Sequence, residues 1–142
     1  MPRQGPTASE AACALTSTLR GRAAEQLAAR YLQARGLAVI ARNFRCRRGE
    51  LDLVCLDAGV LAIVEVRQRR RADYGGALGS VTARKQQRIM HAAGWFLLRH
   101  RCWRAYPARF DVMALQGAPG GAQQIIWIKD AFRAGLSARR AT

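Results

Sequence analysis

The spacing of apolar residues along the chain predicts two amphipathic helices. In residues 18–35, apolar side chains recur every three or four positions, and Gly36 follows as a helix stop. A second helix is predicted over residues 80–100, with Ser80 as its N-cap and an apolar face around Ile89. Each helix is therefore expected to bury one face against another layer of the fold.

Five shorter runs of apolar and alternating residues predict strands. They cover residues 37–45, 50–56, 60–66, 109–115 and 125–128. Turn residues between the second and third runs predict an antiparallel hairpin. The order α-β-β-β-α-β-β predicts an α/β domain in which helices flank a mixed sheet. We expect this domain over residues 18–135, after a mobile lead-in (1–17) with at most a short helical piece, and before a basic tail (136–142).

Composition adds a strong positive charge to this picture. The chain of 142 residues has 24 Lys and Arg against 9 Asp and Glu, which gives a formal net charge of +15. All of these cations except two are arginine, which binds phosphate bidentately and stacks on bases. Genome composition could explain arginine over lysine, but not the excess of cations over acids. DNA or RNA is therefore the expected partner. A membrane is not, because no long basic amphipathic helix is evident.

The cysteines and the lengths of the apolar runs exclude other classes of protein. Cys13, Cys46, Cys55 and Cys102 form no CxxC pair, and the two histidines complete no zinc pattern. No run approaches the length of a membrane span, and the first twenty residues lack the apolar core of a secretory signal. A cytoplasmic protein with reduced thiols is expected. The oligomeric state, including a homodimer, stays open.

The scarce acids suggest a specific chemistry. Asp52 lies in the second predicted strand and Glu65 in the third, so the predicted hairpin can bring their carboxylates together. The period of two puts Glu50 and Asp52 on one face, and Leu51 with Leu53 on the other. Buried carboxylates are unfavourable unless they are paired or bind a cation. Mg²⁺, or alternatively Mn²⁺, suits two carboxylates supplemented by a backbone carbonyl and water.

The residues alone leave two interpretations open for each acid. Asp52 and Glu65 form either a metal site or structural ion pairs with Arg67 or Arg69. Glu25, at the margin of the first apolar stripe, can point toward the same pocket. The alternative interpretation of Glu25 is a solvated carboxylate that pairs with Arg22, one turn earlier on the helix.

Several spaced motifs occur together in one known family. They are Gly21-Arg22-Ala23-Ala24-Glu25, Tyr31-Leu32, Gly36, Arg42-Asn43, Gly49-Glu50-Leu51-Asp52-Leu53, Val64-Glu65-Val66-Arg67, Lys85, Arg109-Phe110-Asp111-Val112 and Ala131-Phe132. With these motifs the chain resembles the YraN family of uncharacterised bacterial proteins over about residues 18–135. That family looks like a branch of the restriction-endonuclease-like superfamily, close to archaeal Holliday-junction resolvases. The resemblance implies a Mg²⁺-dependent nuclease of the PD-(D/E)xK type that acts on DNA, with branched DNA among the candidate substrates.

The resemblance also implies roles for four residues. Asp52 and Glu65 match the metal-binding acids, and Glu25 matches a helix glutamate. Arg67 stands where the motif has lysine. Because arginine cannot lose its proton, it could orient water or stabilise phosphorane charge but could not act as a base. A nucleic-acid-binding module that has lost cleavage is therefore the alternative function, and a basic scaffold for other proteins is a third.

Basic residues near the acids predict the nucleic-acid interface. The predicted interface comprises Arg45, Arg47, Arg48, Arg69, Arg70, Arg71 and Lys85. Lys85 itself is expected to be a solvated charge, the alternative being a substitute for the missing motif lysine. Trp95, Trp103 and Trp127 are expected to pack in the core or at its edges rather than to stack on bases. Asp111 is expected to be a satisfied structural acid.

Overall fold

The structure, a computed structural model, describes residues 8–69, 81–117 and 122–133, without the side chains of residues 8–20 and 69. Its elements are α1 (Ala8–Ala34), β1 (Ala38–Cys46), β2 (Gly49–Asp57), β3 (Val60–Arg69), α2 (Ala83–Arg99), a 3₁₀ turn (Arg101–Trp103), β4 (Ala108–Gln116) and β5 (Gln124–Phe132). The predicted α/β class and element order are confirmed. No helix within the described ranges is both long enough and apolar enough to cross a membrane.

A five-stranded mixed sheet has the spatial order β1-β2-β3-β4-β5. Three neighbouring pairs are antiparallel, and only β3 and β4 are parallel among the described strands. A parallel pair needs a crossover connection, and α2 lies within it. The predicted hairpin of β2 and β3 is confirmed, and its ladder runs from Asp57 opposite Val60 to Leu53 opposite Val64.

Each face of the sheet carries its own core. On one face, α2 packs Ile89 and Phe96 against strand residues that include Val54. On the other face, α1 packs alanines and Leu32 against residues that include Leu53. Neighbouring strand residues therefore enter opposite cores, as the pleat of a strand requires. The candidate site lies at the β1–β2 turn, at the parts of β2 and β3 beyond their shared ladder, and at the first turns of α2.

Several predicted boundaries are wrong. Helix α1 begins at Ala8 rather than at residue 18. The prediction missed this start because the small residues of the segment show no apolar periodicity. Thr82, not Ser80, caps α2, and its hydroxyl accepts the Lys85 N–H at 3.2 Å. Strands β3 and β5 continue to Arg69 and Phe132, beyond their predicted ends at residues 66 and 128. Residues 1–7 of the predicted lead-in, and the predicted basic tail, lie outside the described residues.

Candidate functional site

Asp52 lies where the regular pleat of β2 is interrupted. Leu51 and Val54 both enter the core beside α2, although three positions separate them, whereas Leu53 enters the core beside α1. The predicted placement of Leu51 beside Leu53 on one face is therefore wrong. Beyond the end of the β2–β3 ladder, Asp52 Oδ2 accepts the Val66 N–H at 2.8 Å. A carboxylate thus takes the place of a backbone acceptor at this point.

Asp52 and Glu65 form a buried acid pair. Their exposed fractions are 8% and 4%, and a side-chain hydrogen bond joins them. The pKa of Asp52 is raised to about 8, mainly by burial and secondly by the charge of Glu65. The hydrogen bond from the Val66 N–H opposes this rise. Burial and the neighbouring charge therefore favour the protonated form of Asp52, because two carboxylates this close cannot readily be ionised together.

Two cations contact the Glu65 carboxylate. Lys85 Nζ, in the first turn of α2, lies 2.8 Å from Oε1, and Arg67 Nη1 on β3 lies 3.8 Å from the same oxygen. The expectation that Lys85 is a solvated charge is wrong, because the Thr82 cap and the packing of α2 direct it to Glu65. The ion pair with Arg67, which the residues alone left open as the alternative to a metal site, is present as the longer contact.

Glu25 lies on α1 and is hydrogen-bonded to β1 rather than to the acid pair. Burial raises its pKa most, a hydrogen bond with the Asn43 side chain on β1 lowers it, and the charges of Glu50 and Glu65 raise it further. Among the described side chains, Glu25 makes no ion pair with Arg22. The same described part of the chain contains no cluster of three or more His, Cys, Asp or Glu that could hold a metal ion. A metal site would therefore rest on Asp52 and Glu65, completed by backbone and water oxygens.

A basic cleft of about 990 Å³ opens beside Glu65, between the β1–β2 turn and α2. Its cationic lining residues are Arg45, Arg47, Arg48, Arg84, Lys85 and Arg88. Among the described residues, two acids, Glu50 and Glu65, line it with them, so the lining carries a net positive charge. The structure thus brings four of the predicted basic residues together with one acid of the pair. The side chains of Arg69, Arg70 and Arg71 lie outside the described part of the chain.

Sequence reasoning missed two cleft residues, Arg84 and Arg88. Their four-residue spacing is a signal, because it places both on one side of a helix. The spacing does not reveal which part of the fold that side faces. Only the packed structure brings it opposite the β1–β2 turn.

Gly49 allows this turn to pack closely against α2. A Cβ atom at this position would collide with the backbone carbonyl of Arg88. Glycine therefore keeps the turn arginines beside those of the helix. In the same hairpin, Arg45 Nε lies 3.5 Å from Glu50 Oε2 in an exposed ion pair.

Asp111 is a buried acid with a different environment. It accepts hydrogen bonds from Arg109 Nε at 3.0 Å, Trp127 Nε1 at 3.1 Å and the Asp130 N–H at 2.9 Å. Arg109 also contacts Asp57 at 2.7 Å. The prediction of a satisfied structural acid is confirmed.

The tryptophans occupy different environments. Trp127 donates to Asp111 and packs against the core beside α1, and Trp103 packs against the core beside α2. Trp95 is 46% exposed, and its Nε1–H donates to His91 Nε2 at 3.2 Å. The expectation of core or edge packing is therefore wrong for Trp95.

The family model and the relatives named below agree on one protein family. A family model described as "Uncharacterised protein family UPF0102" matches residues 24–115. A UPF0102 protein of Pseudomonas putida strain W619 is 47% identical over 132 residues, which cover 93% of this chain and 98% of the relative. A UPF0102 protein of Pseudomonas entomophila strain L48 is 51% identical over 112 residues, which cover 79% and 91%. The range matched by the family model includes the acid pair and the basic cleft.

Proposed function

Because the chain belongs to the uncharacterised protein family UPF0102, and a buried acid pair adjoins its basic cleft, we propose that it binds nucleic acid and cleaves it with Mg²⁺. The resemblance to the YraN family is confirmed at the level of this family. Membership of the restriction-endonuclease-like superfamily is part of the proposal, as is DNA, including branched DNA, as the substrate.

The position of Glu65 carries the proposal. Its carboxylate belongs to the buried pair and also lines the cleft. Six cations in that cleft favour phosphates, whereas an ionised carboxylate among them repels phosphates. The acids therefore weaken simple phosphate binding. Their presence is explained if they hold a cation or take part in cleavage.

The donor chemistry of Asp52 and Glu65 fits Mg²⁺. Both supply hard oxygen ligands, and Mg²⁺ usually keeps several waters, so two carboxylates are enough. Their mutual repulsion, which contributes to the raised pKa of Asp52, would be relieved by a divalent cation. Mg²⁺ bound there would neutralise phosphate charge and activate water for attack, and Mn²⁺ is the alternative ion.

Lys85 is better suited than Arg67 to the role of the motif lysine. It lies closer to Glu65, at 2.8 Å against 3.8 Å. Lysine can also release a proton in a suitable environment, whereas arginine cannot. We therefore assign Lys85 to orienting the attacking water and Arg67 to stabilising charge on the phosphate. The cleft arginines would hold the flanking phosphates.

A binding module without cleavage is the second candidate function. Lys85 already compensates the charge of Glu65, and in the described side chains no third ligand-type group joins the pair. On this alternative, Lys85 and the acids form a structural bridge. The cleft arginines alone would then bind nucleic acid.

The deciding experiment incubates purified protein with branched, single-stranded and duplex DNA and with RNA, in Mg²⁺, Mn²⁺ or EDTA. The nuclease proposal expects cleavage that requires a divalent ion and is abolished by Asp52→Asn or Glu65→Gln. Binding without cleavage under every condition would support the binding module. Absence of binding at low salt would contradict both functions and favour a scaffold for other proteins.

A matched pair of variants tests whether the cleft is the binding surface. Arg88→Gln should weaken binding and reduce the salt dependence by about one released counterion, because one phosphate contact is lost. Arg104→Gln removes an exposed arginine outside the cleft lining and should change neither. Equal effects of the two variants would place binding elsewhere on the surface.

A further inference from the structure

One side of α2 continues from the cleft to an exposed tryptophan. Arg84, Arg88, His91 and Trp95 follow one another at spacings of four, three and four residues, so they lie along one side of the helix. The rise per residue places the first and last about 16 Å apart along the axis. The first three line the cleft, and Trp95 donates its indole N–H to His91. We call these four residues the α2 track.

The exposure of Trp95 is not explained by folding. Trp95 is 46% exposed, while the next residue, Phe96, is 1% exposed and fills the core. Leu98, one turn further along, is 51% exposed. A large aromatic side chain left at the surface forgoes the stabilisation that its burial would supply. A ligand that covers this ring would recover part of it.

The combination of cations and an exposed ring indicates the ligand. Surfaces that bind single-stranded nucleic acid combine a basic groove with aromatic side chains on which bases stack. The hydrogen bond to His91 holds the indole in one orientation, which reduces the entropy lost when a base stacks on it.

We propose that Trp95 is a stacking platform for an unpaired base, and that the α2 track holds the strand that carries this base. The inference rests on the proposed nucleic-acid binding by the cleft and adds the substrate class. That class is nucleic acid with unpaired bases, either a single strand or the opened strands of a branch, rather than intact duplex. In a duplex the base faces are already stacked, and exposing one costs a few kcal/mol.

The test compares a fluorescein-labelled single-stranded oligonucleotide with the matching duplex in anisotropy titrations without divalent ions. Trp95→Leu, which keeps an apolar side chain but removes the ring, should weaken single-strand binding by about 5- to 100-fold. Duplex binding should change little. Trp95→Phe should retain most of the single-strand affinity. Tyr106→Leu, which removes another exposed aromatic ring outside the cleft lining, should leave both affinities unchanged.

Intrinsic fluorescence gives a second measurement. Single strands, but not duplex, should quench wild-type emission, and Trp95→Leu should remove the quenched component. Thermal melts check that the variants fold. Wild-type affinity for single strands in Trp95→Leu, or equal losses for single strands and duplex, would overturn the stacking platform while Arg88→Gln still reports on the cleft. No binding by the wild type would overturn the proposed function, and the stacking platform with it.

Discussion

The sheet contains two groups of buried acids, which differ in how their charge is compensated. Asp111 receives donors from Arg109, Trp127 and the backbone of β5, so its oxygens are occupied. Asp52 instead faces Glu65, and burial together with that neighbouring charge raises the pKa of Asp52 to about 8. Removing a fully paired buried carboxylate leaves its donors unpaired and destabilises the fold, whereas two facing carboxylates repel one another until a proton or a cation joins them.

The comparison shows that burial alone does not distinguish a structural acid from a functional candidate. All three acids are at most 8% exposed. The donors around each carboxylate make the distinction, and the acid pair is the group that adjoins a basic cleft. Variants in each group should therefore differ in the sign of their effect on stability.

Asp111→Asn should give the largest effect. It places an amide among three donors and removes a charge from beside Arg109, so the free energy of unfolding should fall by about 3 kcal/mol. Urea unfolding followed by circular dichroism measures this. Asp130→Asn is the control, because it is exposed and asparagine tolerates the φ of 53° there; its stability should not change. If both variants were equally stable, Asp111 would not be a structural acid.

Asp52→Asn should raise the free energy of unfolding relative to wild type as pH rises, whereas Asp111→Asn lowers it. The pKa of Asp52 is raised in the folded state to about 8, so its stabilising protonation is complete below about pH 4 and is lost as pH rises through 8. The slope approaches about 1.4 kcal/mol per pH unit. Between pH 6 and 8, wild type should therefore lose about 2 kcal/mol relative to the variant, whose amide oxygen can still accept the Val66 N–H.

Urea unfolding at pH 6, 7 and 8 in EDTA tests this linkage. Glu50→Gln removes an exposed acid two residues away and should follow the wild-type curve. If the free energy of unfolding changed with pH equally in wild type and Asp52→Asn, repulsion between the two carboxylates would not destabilise the fold. Added Mg²⁺ should raise the wild-type melting temperature and leave that of Asp52→Asn unchanged, if the pair holds the ion.

Lys85→Gln should have the smallest effect on stability. Its bridge to Glu65 is partly exposed, so solvent screening limits the loss to about 1 kcal/mol or less. Cleavage, by contrast, should fall to background, because glutamine has no charge and no transferable proton. Adding Arg67→Lys to this variant should restore part of the activity by returning lysine to the motif position. Full cleavage by Lys85→Gln alone would exclude the assigned role.

The local pattern predicted most of the elements but not all of their ends. Apolar spacing located five strands and two helices, and the turn after Asp57 predicted the central hairpin. The early start of α1 at Ala8 was missed because small residues are compatible with helix without marking a face. The cap at Thr82 was missed because Ser80 is an equally suitable capping residue two positions earlier.

By itself, the sequence determined the α/β class, the family resemblance, the positive charge and the convergence of Asp52 and Glu65. These follow from composition and from periodicities within single elements or one hairpin. Only the tertiary structure decided that Lys85 contacts Glu65, that Arg84 and Arg88 line the cleft, and that Trp95 stays exposed. Arg84, Lys85, Arg88 and Trp95 all lie on α2, and a helix pattern reveals which residues share a side. What that side meets depends on the crossover and on packing between elements distant in sequence.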